Sequence, residues 1–157
     1  MKKILIVAIV ATAFLQNSFA QESVITQPSP ILSSYYEPKN ALVAGNATTA
    51  SLRAEEFVMA LNAINVSNVN EDVRNGLFKD AGYISTNKNI NKQRELFATF
   101  STNMYALAKA MKLTANPVYY AYCPMKKAYW LSSEAAIKNP YYGSAMLTCG
   151  KVAETIK

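Results

Sequence analysis

Histidine is absent from the 157-residue sequence. In enzymes it is the commonest general base and the usual partner of a serine or cysteine nucleophile, and in metalloproteins it is the commonest zinc ligand. Its absence argues against a hydrolase triad and against an ordinary zinc site.

Other signatures of catalysis are missing as well. We find no paired-carboxylate motif, and the five glycines form no Gly-rich phosphate loop. A thiol oxidoreductase is expected to carry a Cys-x-x-Cys pair, whereas the two cysteines, Cys123 and Cys149, lie far apart in the chain. The sequence therefore predicts a protein that is not an enzyme, with no catalytic residue and no organic cofactor.

The only long apolar run covers residues 4–15, which is too short to cross a bilayer. Lys2 and Lys3 precede it, and the small-x-small sequence Ser18-Phe19-Ala20 follows it. This pattern predicts a signal peptide over residues 1–20, cleaved after Ala20, followed by a polar leader over 21–28. We expect a periplasmic protein without stable membrane insertion after cleavage.

The chain has little excess charge. Sixteen basic and ten acidic residues give a formal charge of +6, and two of the basic residues belong to the predicted signal peptide. The remaining lysines are scattered, and only Lys126 and Lys127 are adjacent. A surface of this kind does not favour nucleic acid as a partner.

Helical patterns dominate residues 29–116. Start signals at Ser29-Pro30, Asn46 and Asn70, together with apolar side chains at three- and four-residue spacing, predict helices over 30–44, 47–64, from about 70, and over 90–111. We therefore predict a mainly α fold, an up-and-down bundle of about four helices in a single domain over 29–157. Pro38 is expected to kink or split the first helix.

The methionines of the bundle are assigned to packing. Met104 and Met111 continue the apolar stripe of the fourth helix, and Met59 lies on the wide apolar stripe of the second. A methionine and aromatic stripe at this spacing is far more often core than a ligand set.

The C-terminal segment, residues 117–150, has a different character. Val118 to Tyr122 is an aromatic, β-prone run, and irregular sequence follows it, with a short helical stretch expected from Ser132 or Ser133. Cys-Pro-Met at 123–125 and Met-Leu-Thr-Cys-Gly at 146–150 flank this part. If a turn at 139–143 brings the two motifs together, the sulfur atoms of Cys123, Met125, Met146 and Cys149 would form a soft-metal site for Cu(I) or Ag(I).

A disulfide between Cys123 and Cys149 is the alternative. An even pair of cysteines in an exported domain is normally oxidised, and this bond would stabilise the fold by roughly 3.5 kcal/mol. A reversible disulfide that gates metal binding is compatible with both interpretations.

The motifs resemble a known family. Tyr-Cys-Pro-Met at 122–125, Tyr-Trp-Leu-Ser at 129–132, Ile-Lys-Asn-Pro-Tyr-Tyr-Gly at 137–143 and residues 146–150 are similar to the domain of unknown function 3347. Gln93, Arg94, Phe97, Ser101 and Met104 resemble its helical part, so the resemblance spans about residues 30–153. It implies an exported bacterial domain that also occurs attached to periplasmic adaptors of copper and silver efflux pumps.

The tail is also similar to the short heavy-metal-binding domain of those adaptors. That similarity implies Cys123, Met125 and Cys149 as ligands, while Met146 comes from the spacing in this chain. The chain departs from the pattern because Lys126 and Lys127 stand where a histidine is typical, and because the methionine precedes the second cysteine.

The sequence thus leads to two functional hypotheses. The first is a periplasmic, non-enzymatic module that binds or delivers Cu(I) or Ag(I), with an efflux adaptor or metal-transfer protein as partner. The second is an interaction domain stabilised by a Cys123–Cys149 disulfide, without metal.

Overall fold

A computed structural model describes residues 28–64 and 70–157. The predicted signal peptide, and all but the last residue of the predicted leader, lie outside the described residues. The elements in chain order are α1 Pro30–Val43, α2 Ala47–Ala63, α3 Glu71–Thr86, α4 Ile90–Ala110, β1 Val118–Cys123, β2 Ala128–Ser132, a 3₁₀ turn Gly143–Met146, and β3 Lys151–Ile156.

Each α-helix begins at a polar cap. The side chains of Ser29, Asn46, Asn70 and Asn89 accept hydrogen bonds from backbone N–H groups of the first turn, for example Thr49 N to Asn46 Oδ1 at 2.9 Å. These bonds satisfy donors that have no partner within the helix, which fixes where the helices start. The predicted starts near residues 30, 47, 70 and 90 are confirmed.

The first helix was predicted to kink or split at Pro38, and the predicted split is wrong. α1 runs continuously from Pro30 to Val43, and Pro38 is buried within it. A proline removes one backbone hydrogen bond from a helix interior. Here the fully buried side chains of Tyr35 and Leu42, on either side of Pro38, hold both halves of α1 against the core.

Over residues 28–64 and 70–157 the fold is mainly α, with four helices and a small C-terminal sheet. Helices that follow one another in the chain pack together as α1–α2, α2–α3 and α3–α4, and α1 also contacts α4. Short connections between such helices produce up-and-down neighbours. The large side chains with less than 2 % exposure include Tyr35, Phe57, Phe97, Phe100 and Trp130.

Two of the three methionine assignments agree with the structure. Met104 is fully buried, and Met111 packs against the core in a partly buried position. Met59 is 60 % exposed, so its assignment to the core is wrong. The apolar stripe of α2 is wider than the face that the other helices cover, and Leu52 and Met59 lie on its outer part.

The C-terminal part forms a sheet that the sequence did not predict in full. β1 lies between β2 and β3, and both pairings are antiparallel. Only β1 was expected. The helical stretch expected from Ser132 or Ser133 is wrong, because Ser132 ends β2 and residues 133–136 form bends.

One buried hydroxyl connects the bundle to the sheet. Tyr35 Oη lies 2.7 Å from Ser101 Oγ on α4 and accepts a hydrogen bond from Leu131 N on β2 at 3.1 Å. Since buried polar groups are costly without partners, these two bonds fix the position of β2 relative to α1 and α4.

Lys39 is a buried charge on α1. Its side chain lies against the Tyr36 ring, with Nζ 5.6 Å from the ring centroid, and the residue is 4 % exposed. Burial lowers the pKa of the Lys39 ammonium from its usual 10.5 to about 8, with smaller effects from Glu134, Lys138 and Glu37. The charged form is therefore disfavoured in the folded protein.

We expect Lys39→Met to raise the free energy of unfolding at pH 7 by about 1–3 kcal/mol, because it removes a buried charge. Below pH 8 both folded and unfolded chains carry the proton, so the wild type bears the full burial cost. Between about pH 8 and 10.5 the folded lysine loses its proton first, so the advantage of the variant shrinks. Urea unfolding at pH 7 and pH 9.5, with the exposed Lys92→Met as control, measures both effects. A variant less stable than the wild type at pH 7 would contradict this account.

Candidate functional site

Cys123 ends β1 at the hairpin that leads into β2. It pairs with Ala128 across the strands, and residues 124–127 form the turn between them. The Cys123 side chain is fully buried, and the backbone N–H of Lys126 donates to Cys123 Sγ at 3.4 Å. The turn over residues 123–126 therefore folds back over Cys123 Sγ.

Cys149 reaches the same place from the other end of the segment. Its N–H donates to Met146 O at 3.1 Å at the end of the 3₁₀ turn, and β3 begins two residues later. The pairing of Lys151 with Tyr122 places the start of β3 beside the end of β1. The antiparallel register thus brings Cys149 to Cys123.

Gly150 makes the close approach possible. Its φ of +147° is rarely adopted by other residues, and a Cβ atom would lie 2.9 Å from Trp130 Cη2 and 2.9 Å from Tyr122 O. Only a glycine allows the chain to pass between Trp130 and β1 directly after Cys149.

Both cysteines are free thiols, and the β1–β3 register places them close together. Burial raises the pKa of the Cys149 thiol, and its nearness to the Cys123 thiol raises it further. Cys123 is enclosed and Cys149 is partly exposed, so a ligand from solvent meets Cys149 first.

Asn139 is the polar centre of the site, although its sequence context predicts only a turn. It is fully buried; its amide Nδ2 donates to Cys123 Sγ at 3.2 Å and to Cys149 O at 2.7 Å. Its Oδ1 accepts from Tyr141 N at 2.8 Å. The signal that could have identified it is an asparagine directly before Pro-Tyr-Tyr-Gly, since asparagine side chains bond to the backbone two residues on.

Arg94 of α4 attaches this loop to the bundle. Its Nε donates to Pro140 O at 3.1 Å, and its Nη2 donates to Leu42 O near the end of α1 at 3.0 Å. The ring of Tyr141 packs against Phe97 and Trp130. The thiol site therefore sits on a loop that two helices and the sheet hold in place.

Met125 and Met146 lie at the surface on the two segments that carry the cysteines. Met125 is 62 % exposed in the hairpin turn, and Met146 is 40 % exposed at the end of the 3₁₀ turn. Of the four predicted ligands, the structure brings together the two cysteines and leaves both methionine side chains open to solvent. Lys126 and Lys127 share the hairpin turn with Met125.

Within residues 28–64 and 70–157, no three side chains from His, Cys, Asp and Glu come together as a possible metal site. A site at this place would therefore rest on two thiols with thioether or backbone donors. Over the same residues, no helix is both long and apolar enough to span a membrane.

Comparison with protein families matches residues 31–116 to the family described as "Protein of unknown function (DUF3347)". The chain belongs to this family. The DUF3347 match covers α1 to α4 and confirms the family; it ends two residues before β1, so the similar motifs at 122–150 lie outside it. The thiol site thus lies on the segment after the matched region. No curated protein and no solved structure matches the chain.

Proposed function

We propose that this protein is a non-enzymatic periplasmic module that binds Cu(I) or Ag(I) at the Cys123–Cys149 pair and delivers it within an efflux or metal-homeostasis system. The observation that carries the proposal is that one Asn139 amide nitrogen bonds both to Cys123 Sγ and to Cys149 O, which places two free cysteines side by side, one enclosed and one partly exposed. Soft thiolate and thioether ligands select these monovalent ions over Mg²⁺ or Ca²⁺.

The surroundings of Cys123 support a ligand role. Its sulfur accepts N–H bonds from Lys126 and from Asn139. Such bonds stabilise negative charge on a sulfur ligand and tune metal–thiolate sites.

The partial exposure of Cys149 and the exposed side chains of Met125 and Met146 support delivery rather than storage. Soft ligands at the surface can pass an ion to the ligands of a partner by stepwise exchange. Met125 and Met146 act in this proposal as additional thioether ligands during entry and release. The partner would be a periplasmic efflux adaptor or another metal-transfer protein.

Anaerobic competition between the reduced chain of residues 21–157 and a chromophoric Cu(I) chelator tests the proposal. We expect one Cu(I) per chain. Loss of an outer-shell partner of a metal ligand typically lowers metal affinity by about 10- to 100-fold. Cys123→Ser and Cys149→Ser remove a ligand itself, so each should lower the affinity for Cu(I) by more than that. Met125→Leu and Met146→Leu should have smaller effects, and Met59→Leu, an exposed methionine on α2, should have none. Equal copper retention in the wild type and both cysteine variants would refute the site.

The disulfide hypothesis rests on the same placement of the two cysteines. Two adjacent thiols in an oxidising compartment can form a bond that closes the tail onto β1. The structure has both cysteines as free thiols, so the disulfide is not confirmed. A chain that remains oxidised in mild reductant, and takes up no copper after full reduction, would support a stapled interaction domain instead.

A further inference from the structure

The side chain of Asn139 spans the thiol pair. One amide nitrogen donates both to Cys123 Sγ and to the backbone oxygen of Cys149, at 3.2 and 2.7 Å. The same residue closes its own loop, since Asn139 N donates to Leu147 O at 2.8 Å and Gly143 N donates to Asn139 O at 3.0 Å. Asn139 therefore helps to fix the position of both cysteines, together with the β1–β3 register.

These contacts depend on the oxidation state of the sulfur. A thiolate sulfur carries a negative charge and is therefore a better hydrogen-bond acceptor than a disulfide sulfur, which carries none. Forming the Cys123–Cys149 bond would weaken the bond from Asn139 to Cys123 Sγ, and the two unbonded sulfur atoms would have to move together while Asn139 holds Cys123 Sγ and Cys149 O. Hydrogen bonds to sulfur are a recognised means by which proteins set redox equilibria.

We infer that Asn139 is a positioning residue that holds Cys123 and Cys149 as an unbonded dithiol and disfavours their disulfide. The purpose of this bias rests on the proposed function, because only the dithiol offers two soft ligands to a metal. The bias itself concerns the thiol–disulfide equilibrium alone. It is therefore measurable without any metal.

The reaction to be measured is exchange with glutathione. The two thiols and one glutathione disulfide give the Cys123–Cys149 disulfide and two glutathione thiols. The protein loses two electrons and two protons, and glutathione disulfide gains both. The equilibrium constant follows from the fraction of oxidised chain at defined ratios of the two glutathione forms.

Asn139→Asp and Asn139→Ser are the informative variants. The aspartate keeps an acceptor for Tyr141 N–H but places an oxygen, in place of the donor, beside Cys123 Sγ. We expect both variants to raise the equilibrium constant for disulfide formation by about fivefold to tenfold, the size of one or two lost hydrogen bonds. Tyr141→Phe is the matched control, because it removes a hydrogen bond of the same loop, from the Tyr141 hydroxyl to Tyr129 O. Its equilibrium constant should stay within about twofold of the wild type.

Two results would overturn the inference. One is an unchanged equilibrium constant in folded Asn139 variants, and the other is an equal rise in Tyr141→Phe. If the Asn139 variants do not fold, nuclear magnetic resonance on wild-type chain labelled at side-chain amides decides the matter. The Asn139 amide protons should be protected from exchange in the dithiol and lose that protection in the disulfide, whereas equal protection in both forms would contradict the inference.

Failure of the proposed function has a different signature. A wild type that binds no Cu(I) while the Asn139 variants still shift the glutathione equilibrium would remove the metal role and leave the redox role of Asn139 intact. A wild type that binds Cu(I) with no shift in those variants would do the reverse.

Discussion

Trp130→Ala should lower the free energy of unfolding by about 3–5 kcal/mol, the range for removing a large aromatic side chain from a packed core. Trp130 lies on β2 and is 1 % exposed. Its ring meets the Tyr141 ring edge to face, with the ring centroids 6.1 Å apart, and it also lies against Gly150. The cavity left by the indole ring would weaken the packing of β2 against α4. It would also weaken the packing of both elements against the loop over residues 139–143. Urea unfolding followed by circular dichroism measures the effect, because the variant lacks the only tryptophan of the chain.

Trp130→Phe serves as the graded control. It retains most of the apolar contact and should cost clearly less than the alanine variant. If the free energy of unfolding of Trp130→Ala is within about 1 kcal/mol of the wild-type value, the Trp130 side chain does not fill the core as described.

Gly150→Ala should strongly destabilise the protein and disturb the site. The new methyl group would lie 2.9 Å from both Trp130 Cη2 and Tyr122 O, at a φ of +147°. Backbone strain should lower the free energy of unfolding by about 1–3 kcal/mol, and overpacking should lower it by about 1–3 kcal/mol more. Since Gly150 follows Cys149, we also expect a displaced thiol and weaker Cu(I) retention.

Gly45→Ala is the matched control for this substitution. Gly45 also has a positive φ, +73°, but a Cβ atom there has nothing within 4 Å. Gly45→Ala should lower the free energy of unfolding by only about 1–2 kcal/mol, the cost of a left-handed backbone at a residue with a Cβ atom. It should leave copper retention unchanged. Equal losses in both variants would show that the contact with Trp130 and β1 is unimportant.

The helical part was predictable because its signals are local. Asn46 and Asn70 mark helix starts through side-chain bonds to the next turn, and Phe97, Phe100 and Met104 repeat at the helical period. Local bonds and periodic burial are both visible in a linear sequence. Met59 was misplaced because periodicity gives the width of an apolar stripe but not how much of it neighbouring helices cover.

The sheet was less predictable because two of its strands lack alternation. β3 is exposed or half-exposed along its whole length, and β2 is buried at four of its five positions. Neither shows the period of two by which half-buried strands are recognised. Only the pairing with β1 establishes both strands.

The candidate site was predictable in composition but not in geometry. Cys123 and Cys149 were the only thiols available, so their selection needed no structure. Their proximity depends on Asn139, Arg94 and Gly150, which act through the loop and the β1–β3 register. Such long-range contacts leave no periodic signal in the sequence.

Copper K-edge X-ray absorption on the Cu(I)-loaded, reduced chain of residues 21–157 tests the central claim most directly. Binding between Cys123 and Cys149, with or without a methionine, predicts a first coordination shell made of sulfur alone. The same measurement on Cys149→Ser should show loss of copper or entry of a lighter ligand. A shell of nitrogen or oxygen in the wild type would contradict binding at the thiol pair.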